Sequence, residues 1–181
     1  MTMDNQWYEV VDGENLQQGD FIDSCPVFIP EYPVNLSPVE GTALSVIHGS
    51  WVTYDVVVMN QSCDSRKDRL KFVLVCPHWS LEELVMANRE IGSKKIQEEI
   101  RRGHRPNYHM LDACDLVEKK HSIQVVDFRS VYTVPYDFLI GFAADQGKRV
   151  RLLSPYREKL SQAFGNFFSR VGLPADIPSF R

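Results

Sequence analysis

Residues 52–61 (VTYDVVVMNQ), 62–69 (SCDSRKDR) and 70–76 (LKFVLVC) decide the fold. The first holds an unbroken β-branched run, Val56-Val57-Val58, of the kind that fills a strand buried on both faces. The third is as strongly apolar, and the eight polar residues between them are too few for the helical crossover that a parallel pair requires. The three segments therefore predict an antiparallel hairpin. Downstream, Ser80 and Glu83 form a capping box that opens a helix along Leu81, Leu84, Val85 and Ile91, divided near Gly92-Ser93 and ended by Gly103. A strand is expected after Pro106 within 104–111, and another over 122–129 (SIQVVDFR). Pro135 at a first helical position predicts a helix over 136–145 closed by Gly147, followed by a short strand over 150–153.

The last helix carries the widest apolar stripe: Leu160, Ala163, Phe164, Phe167, Phe168 and Val171. Ser154 is read as its capping hydroxyl and Pro155 as its first position, with Gly172 and Pro174 as stops. Upstream of the hairpin, Phe21-Ile22 is a short extended piece, and Pro26, Pro30, Pro33 and Pro38 predict a long irregular loop. The chain thus reads as one α+β domain over 1–181. An acidic arm covers 1–18, a bent antiparallel sheet 19–153 with an inserted helix over 80–103, and the terminal helix 154–172.

With 44% apolar and 24% charged residues, the composition excludes a collagen, a low-complexity chain and a disulfide miniprotein. No apolar run reaches the roughly 18 residues of a membrane span, and the first twenty residues lack the basic and apolar parts of a secretory signal. A cytoplasmic protein without membrane contact is expected. Residues 1–45 hold eight acids and no Lys or Arg; the remainder holds sixteen acids and all twenty bases, a charge of +4. Such an arm is either a solvated segment or a cover for a mildly basic surface.

Cys25, Cys63, Cys76 and Cys114 include no CxxC pair, so neither a disulfide framework nor a structural zinc is expected. Walker, GxGxxG, HExxH and GxSxG motifs are absent, and no cofactor is predicted. Two stretches carry candidate chemistry. Cys63 and Asp64 stand where a buried strand emerges into a polar loop, and a histidine that lowered the thiol pKa would make Cys63 a nucleophile. In the hairpin His78 falls roughly 20 Å away at about 3.3 Å per residue, which leaves His48, His104, His109 or His121 for that role. Arg101, Arg102, Arg105, Tyr108 and His109, with His104, form the densest basic and aromatic cluster. Guanidinium groups and stacking rings in that mixture suit single-stranded RNA; a basic helix C-terminus stabilised by the macrodipole explains the same residues.

The order Gly19-Asp20-Phe21-Ile22, a long loop, Val56 to Asn60, then Leu74-Val75-Cys76-Pro77-His78-Trp79-Ser80 resembles the MazF/PemK toxin barrel. That resemblance implies a small SH3-like barrel with outer helices, a homodimer, and metal-independent cutting of single-stranded mRNA by an Arg and a Thr. Tyr54-Asp55 stands where the family has Arg-Pro, and His78-Trp79-Ser80 follows Pro77 in place of its hydroxyl pair. The expectation is a toxin-like protein of a bacterial conflict system, toxin–antitoxin or anti-phage, that binds RNA or a partner protein without the family's ribonuclease chemistry. Two alternatives stay open: a cysteine-dependent enzyme centred on Cys63, and an active metal-independent endoribonuclease. The strand end Ser62-Cys63-Asp64, with Val126-Asp127-Phe128-Arg129 and Leu153-Ser154-Pro155-Tyr156-Arg157, is also similar to uncharacterised bacterial proteins, which implies a bacterial or phage origin.

Overall fold

Among the described residues of the computed structural model all strand pairings are antiparallel, and three of the seven share one strand. The structure describes residues 6–32, 36–38, 41, 45–61 and 70–169. In chain order the strands are β1 (Tyr8–Val11), β2 (Phe21–Pro30), β3 (Leu36–Pro38), β4 (Ser45–Ile47), β5 (Gly49–Val58), β6 (Phe72–Ser80), β7 (Tyr108–Leu111), β8 (Gln124–Asp127), β9 (Tyr132–Pro135) and β10 (Arg149–Leu152). The helices are α1 (Leu81–Ala87), α2 (Lys94–Arg101), α3 (Tyr136–Gln146) and α4 (Tyr156–Phe168), with a 3-10 turn, Arg89–Gly92, between the first two.

The hairpin forms as expected: Val56, Val57 and Val58 pair with Pro77, Cys76 and Val75. All three valines are buried because both faces are covered; Val57 joins the cluster under α4, whereas Val56 and Val58 join the one under α3. On its other edge β6 meets β9 over Phe72 to Val75 and β8 over His78 to Ser80. Between the pairs His78↔Val126 and Val75↔Tyr132, five residues on the β8–β9 side face two on β6. That excess loops out, drives Phe128 into the core and resets the register. The sheet runs β2-β5-β6-β8-β7, with β9 also on β6, and its strands do not close into a ring among the described residues.

Four expectations are corrected. The proline-bearing segment is no loop: β2 runs ten residues, from Phe21 to Pro30, and pairs along β5. Because β2 is an edge strand, Pro26 and Pro30 need not donate on both sides. The arm over 1–18 includes β1, which pairs with β10 and buries Tyr8. Pro135 precedes α3 as its N-cap and ends the unpredicted strand β9. Likewise Pro155 is the N-cap of α4, and no side-chain cap hydrogen bond is made there. The split helix behaves as read: Ser80 Oγ accepts from Glu83 N at 3.1 Å and Glu83 Oε2 accepts from Ser80 N at 2.8 Å.

A buried ion cluster fastens β1–β10 to the main sheet. Asp20, fully buried, accepts from Arg149 Nε at 2.8 Å and from Arg151 Nε and Nη2 at 2.5 and 2.9 Å. Further guanidinium donors go to the carbonyls of Gly13 and Asn15. Beside it Gly19, at φ +82°, lies so near β10 that a Cβ would meet Leu152 Cβ at 2.9 Å. Gly-Asp at this turn thus has a structural reason of its own.

The α4 stripe divides between core and surface. Leu160 is fully buried, Phe164 meets the buried Phe128 edge-on at 5.4 Å, and Phe168 is 60% exposed. Val171 lies outside the described residues. Phe164→Ala is expected to cost about 3 kcal/mol, the low end for a core phenylalanine because the ring is only partly covered, and Phe168→Ala under about 1 kcal/mol. Urea unfolding checks both; equal midpoints for the two variants would reject this division.

Candidate functional site

Among the described residues, two buried side-chain polar atoms lack a hydrogen-bond partner: Nε2 of His78 and Nε2 of His121. Both histidines line one cavity of about 190 Å³, together with Asp23, Asp55, Lys119 and Gln124. Buried polar atoms are almost always satisfied, so two such imidazole nitrogens in one cavity require an explanation.

Five segments build the site. His78 lies in β6, two residues before the Ser80 cap, and is only 8% exposed. His121 is held by a bridge to Cys114, with N–H···O distances of 2.9 and 3.0 Å. The Phe21 ring packs on both, edge-on to His78 at 4.8 Å and stacked on His121 at 5.7 Å. Asp23 comes from an irregularity in β2, where the register shifts between Ile22 and Cys25 and Ser24 takes φ +49°. Asp55 of β5 holds that turn by accepting from Ser24 N at 2.7 Å. Lys119 donates to Asp23 Oδ2 at 3.0 Å, and Gln146 Nε2 donates to the Asp23 carbonyl.

His78 Nδ1 meets Gln124 Oε1 at 2.9 Å, and His121 Nδ1 meets the Ser122 carbonyl at 3.0 Å. Both contacts are to acceptors, so each ring carries a proton on Nδ1, and in the neutral ring Nε2 is the lone pair. Burial lowers the His78 pKa below its ordinary value of 6.5, opposed by the bond His78 donates to Gln124 and by the charges of Asp55 and Asp23. At neutral pH His78 is therefore a neutral proton acceptor. Among the described residues no group of three or more His, Cys, Asp or Glu side chains is arranged to hold a metal ion.

The residues singled out from sequence fare differently. Cys63 and Asp64 lie outside the described residues. The thiols that are described are buried, and burial pushes Cys25 up to about 11 and Cys76 up to about 12, away from thiolate. Arg101 and Arg102 both bind Glu98, at 2.6 and 2.5 Å, and Arg105 binds Glu99 at 3.0 Å. Tyr108 is 7% exposed, its hydroxyl accepting from Arg129 Nη2 at 2.5 Å, so its ring offers little stacking surface. His109 is largely buried, and desolvation, helped by the Lys159 charge, lowers its pKa to about 4. Arg101 and His109 do share a cavity of about 390 Å³ with Trp7 and Lys159, but the five residues do not form one open basic face.

Asp23, Asp55, Lys119 and Gln124 were missed. Only Gln124 gave a local signal, as an amide inside the otherwise apolar strand 122–129. Among the described residues no helix is long and apolar enough to cross a membrane. Compared with family models, curated proteins and solved structures, the chain matches none.

Proposed function

We propose that this protein acts on RNA in the cytoplasm as a toxin-like component of a bacterial conflict system, cleaving single-stranded RNA without a metal. The observation that carries the reading is the pair of Nε2 lone pairs in one cavity. The MazF/PemK pattern lacks its Arg and hydroxyl pair here, and the histidines offer a different means to the same proton transfers. His78 Nε2 takes the proton of a ribose 2′-hydroxyl, and the oxygen attacks the adjacent phosphorus. The P–O5′ bond breaks, and the leaving oxygen takes a proton from His121 Nε2, which has first accepted that proton from solvent. The products are a 2′,3′-cyclic phosphate and a 5′-hydroxyl. Lys119 and Lys120 line the same cavity and supply the charge that a phosphate would meet.

The antiparallel order supports a small SH3-like barrel as the finer fold, because β2 and β9, which share no ladder, both line one apolar groove that includes Val27 and Val134. A homodimer through the exposed Phe168 face belongs to the same reading. The cysteine-dependent alternative keeps one supporting observation: Gln61, two residues before Cys63, lines a cavity of about 630 Å³ with Arg157 of α4. Iodoacetamide labelling of Cys63 below the ordinary thiol range, roughly pKa 8.5, would favour it.

The test is cleavage of structured and unstructured transcripts in EDTA. His78→Gln and His121→Gln should each slow cleavage by about 10²-fold or more. A fully active His78→Gln variant, or a wild type that leaves unstructured transcripts intact, would sink the proposal.

A further inference from the structure

Gln124 lies on β8 directly across from Ser80, two pairs along from His78↔Val126, and is 7% exposed. Its Nε2 donates to the Ser122 carbonyl at 3.1 Å while its Oε1 meets His78 Nδ1 at 2.9 Å. A backbone carbonyl only accepts, so the amide must turn its NH2 toward Ser122 and its oxygen toward the imidazole. The reversed amide would set two acceptors face to face. The Ser122 carbonyl also accepts from His121 Nδ1 at 3.0 Å. One carbonyl, through its two lone pairs, therefore specifies both tautomers: that of His121 directly and that of His78 through Gln124.

We propose that Gln124 is the positioning residue of this cavity, and that the cavity takes a ligand O–H or N–H donor, which bonds to His78 Nε2. With both rings protonated on Nδ1, the neutral imidazoles turn lone pairs to the cavity, and Lys119 and Lys120 are its cationic lining. A hydroxyl meets acceptors. In reaction its O–H bond breaks, the electron pair stays on oxygen, and the proton forms the Nε2–H bond. Identifying that hydroxyl as a ribose 2′-hydroxyl rests on the ribonuclease reading; the tautomer assignment does not.

Long-range 1H–15N NMR of the imidazoles in the wild-type protein at neutral pH reads the tautomers without any variant. Both His78 and His121 are expected as Nδ1–H forms. Gln124→Met keeps the length and removes the acceptor, so His78 should shift toward the Nε2–H form while His121 stays as it was. Cleavage of an unstructured RNA oligonucleotide should then fall by about 10²-fold in kcat at unchanged KM. A wild-type His78 protonated on Nε2 overturns the proposal, as does a folded Gln124→Met variant with an unmoved His78. Expected NMR results with a wild type that cleaves no RNA would leave the positioning role standing and remove the ribonuclease reading. An RNA cleaved equally well by both proteins would remove the positioning role alone.

Discussion

Asp20→Ala is expected to leave the protein largely unfolded, or at best marginal, at room temperature. The substitution strands two guanidinium groups whose side chains are 2% and 7% exposed, with backbone carbonyls as their remaining partners. Removing one member of a buried ion pair costs about 3 to 5 kcal/mol, because the charge left behind stays desolvated. Total stability of a domain is about 5 to 15 kcal/mol. The loss reaches beyond the pair, since Arg149 and Arg151 sit in β10 and hold the turn at Gly13 and Asn15 against it. Urea unfolding followed by circular dichroism measures the effect. Joint replacement by Asp20→Leu, Arg149→Met and Arg151→Leu should recover most of the stability, as apolar substitutes for buried charges often do. If Asp20→Ala alone lowers stability by less than about 1 kcal/mol, the cluster does not fasten the sheet in the way described.

The second large effect is acid sensitivity set by His109. Its pKa falls from 6.5 to about 4 on folding, chiefly through desolvation, so the unfolded chain binds the proton more tightly than the native one. Stability therefore rises with pH between about 4 and 6.5, and is lost as pH falls through that window. At 1.36 kcal/mol per pKa unit the full window is worth about 3 kcal/mol, of which about 2 is lost by pH 5. His78, lowered by the same cause, adds a loss of the same sign. Urea midpoints at pH 7 and pH 5 check this, and His109→Leu should flatten the difference. An unchanged dependence in that variant would assign the acid loss to His78 or to other groups.

Elements whose information is local were legible in the sequence. The valine run needed only its own composition to be a doubly buried strand, and Ser80 with Glu83 needed only their spacing to cap a helix. By contrast β2 was obscured, because a proline count signals irregular chain unless the reader knows that the strand is at an edge. The same limit hid the histidine site. His78 and His121 are 43 positions apart and meet only because β8 pairs with β6 and Phe21 enters from the other side. The local pairing of the basic cluster was visible in principle. Glu98 stands three and four residues before Arg101 and Arg102, the spacing of helical ion pairs, and that spacing turns an apparent basic patch into local pairing.

The edge position of β2 bears on how the protein survives at high concentration. An open strand edge flanked by exposed rings, here Phe28 and Trp51, invites another chain to add on and seed aggregates. Pro26 and Pro30 carry no N–H, so an intruding strand finds donors missing at two places along ten residues. The turn at Ser24 twists the same edge out of line with a flat template. The prolines that disguised this strand in the sequence thus act as its guard against self-association into fibres.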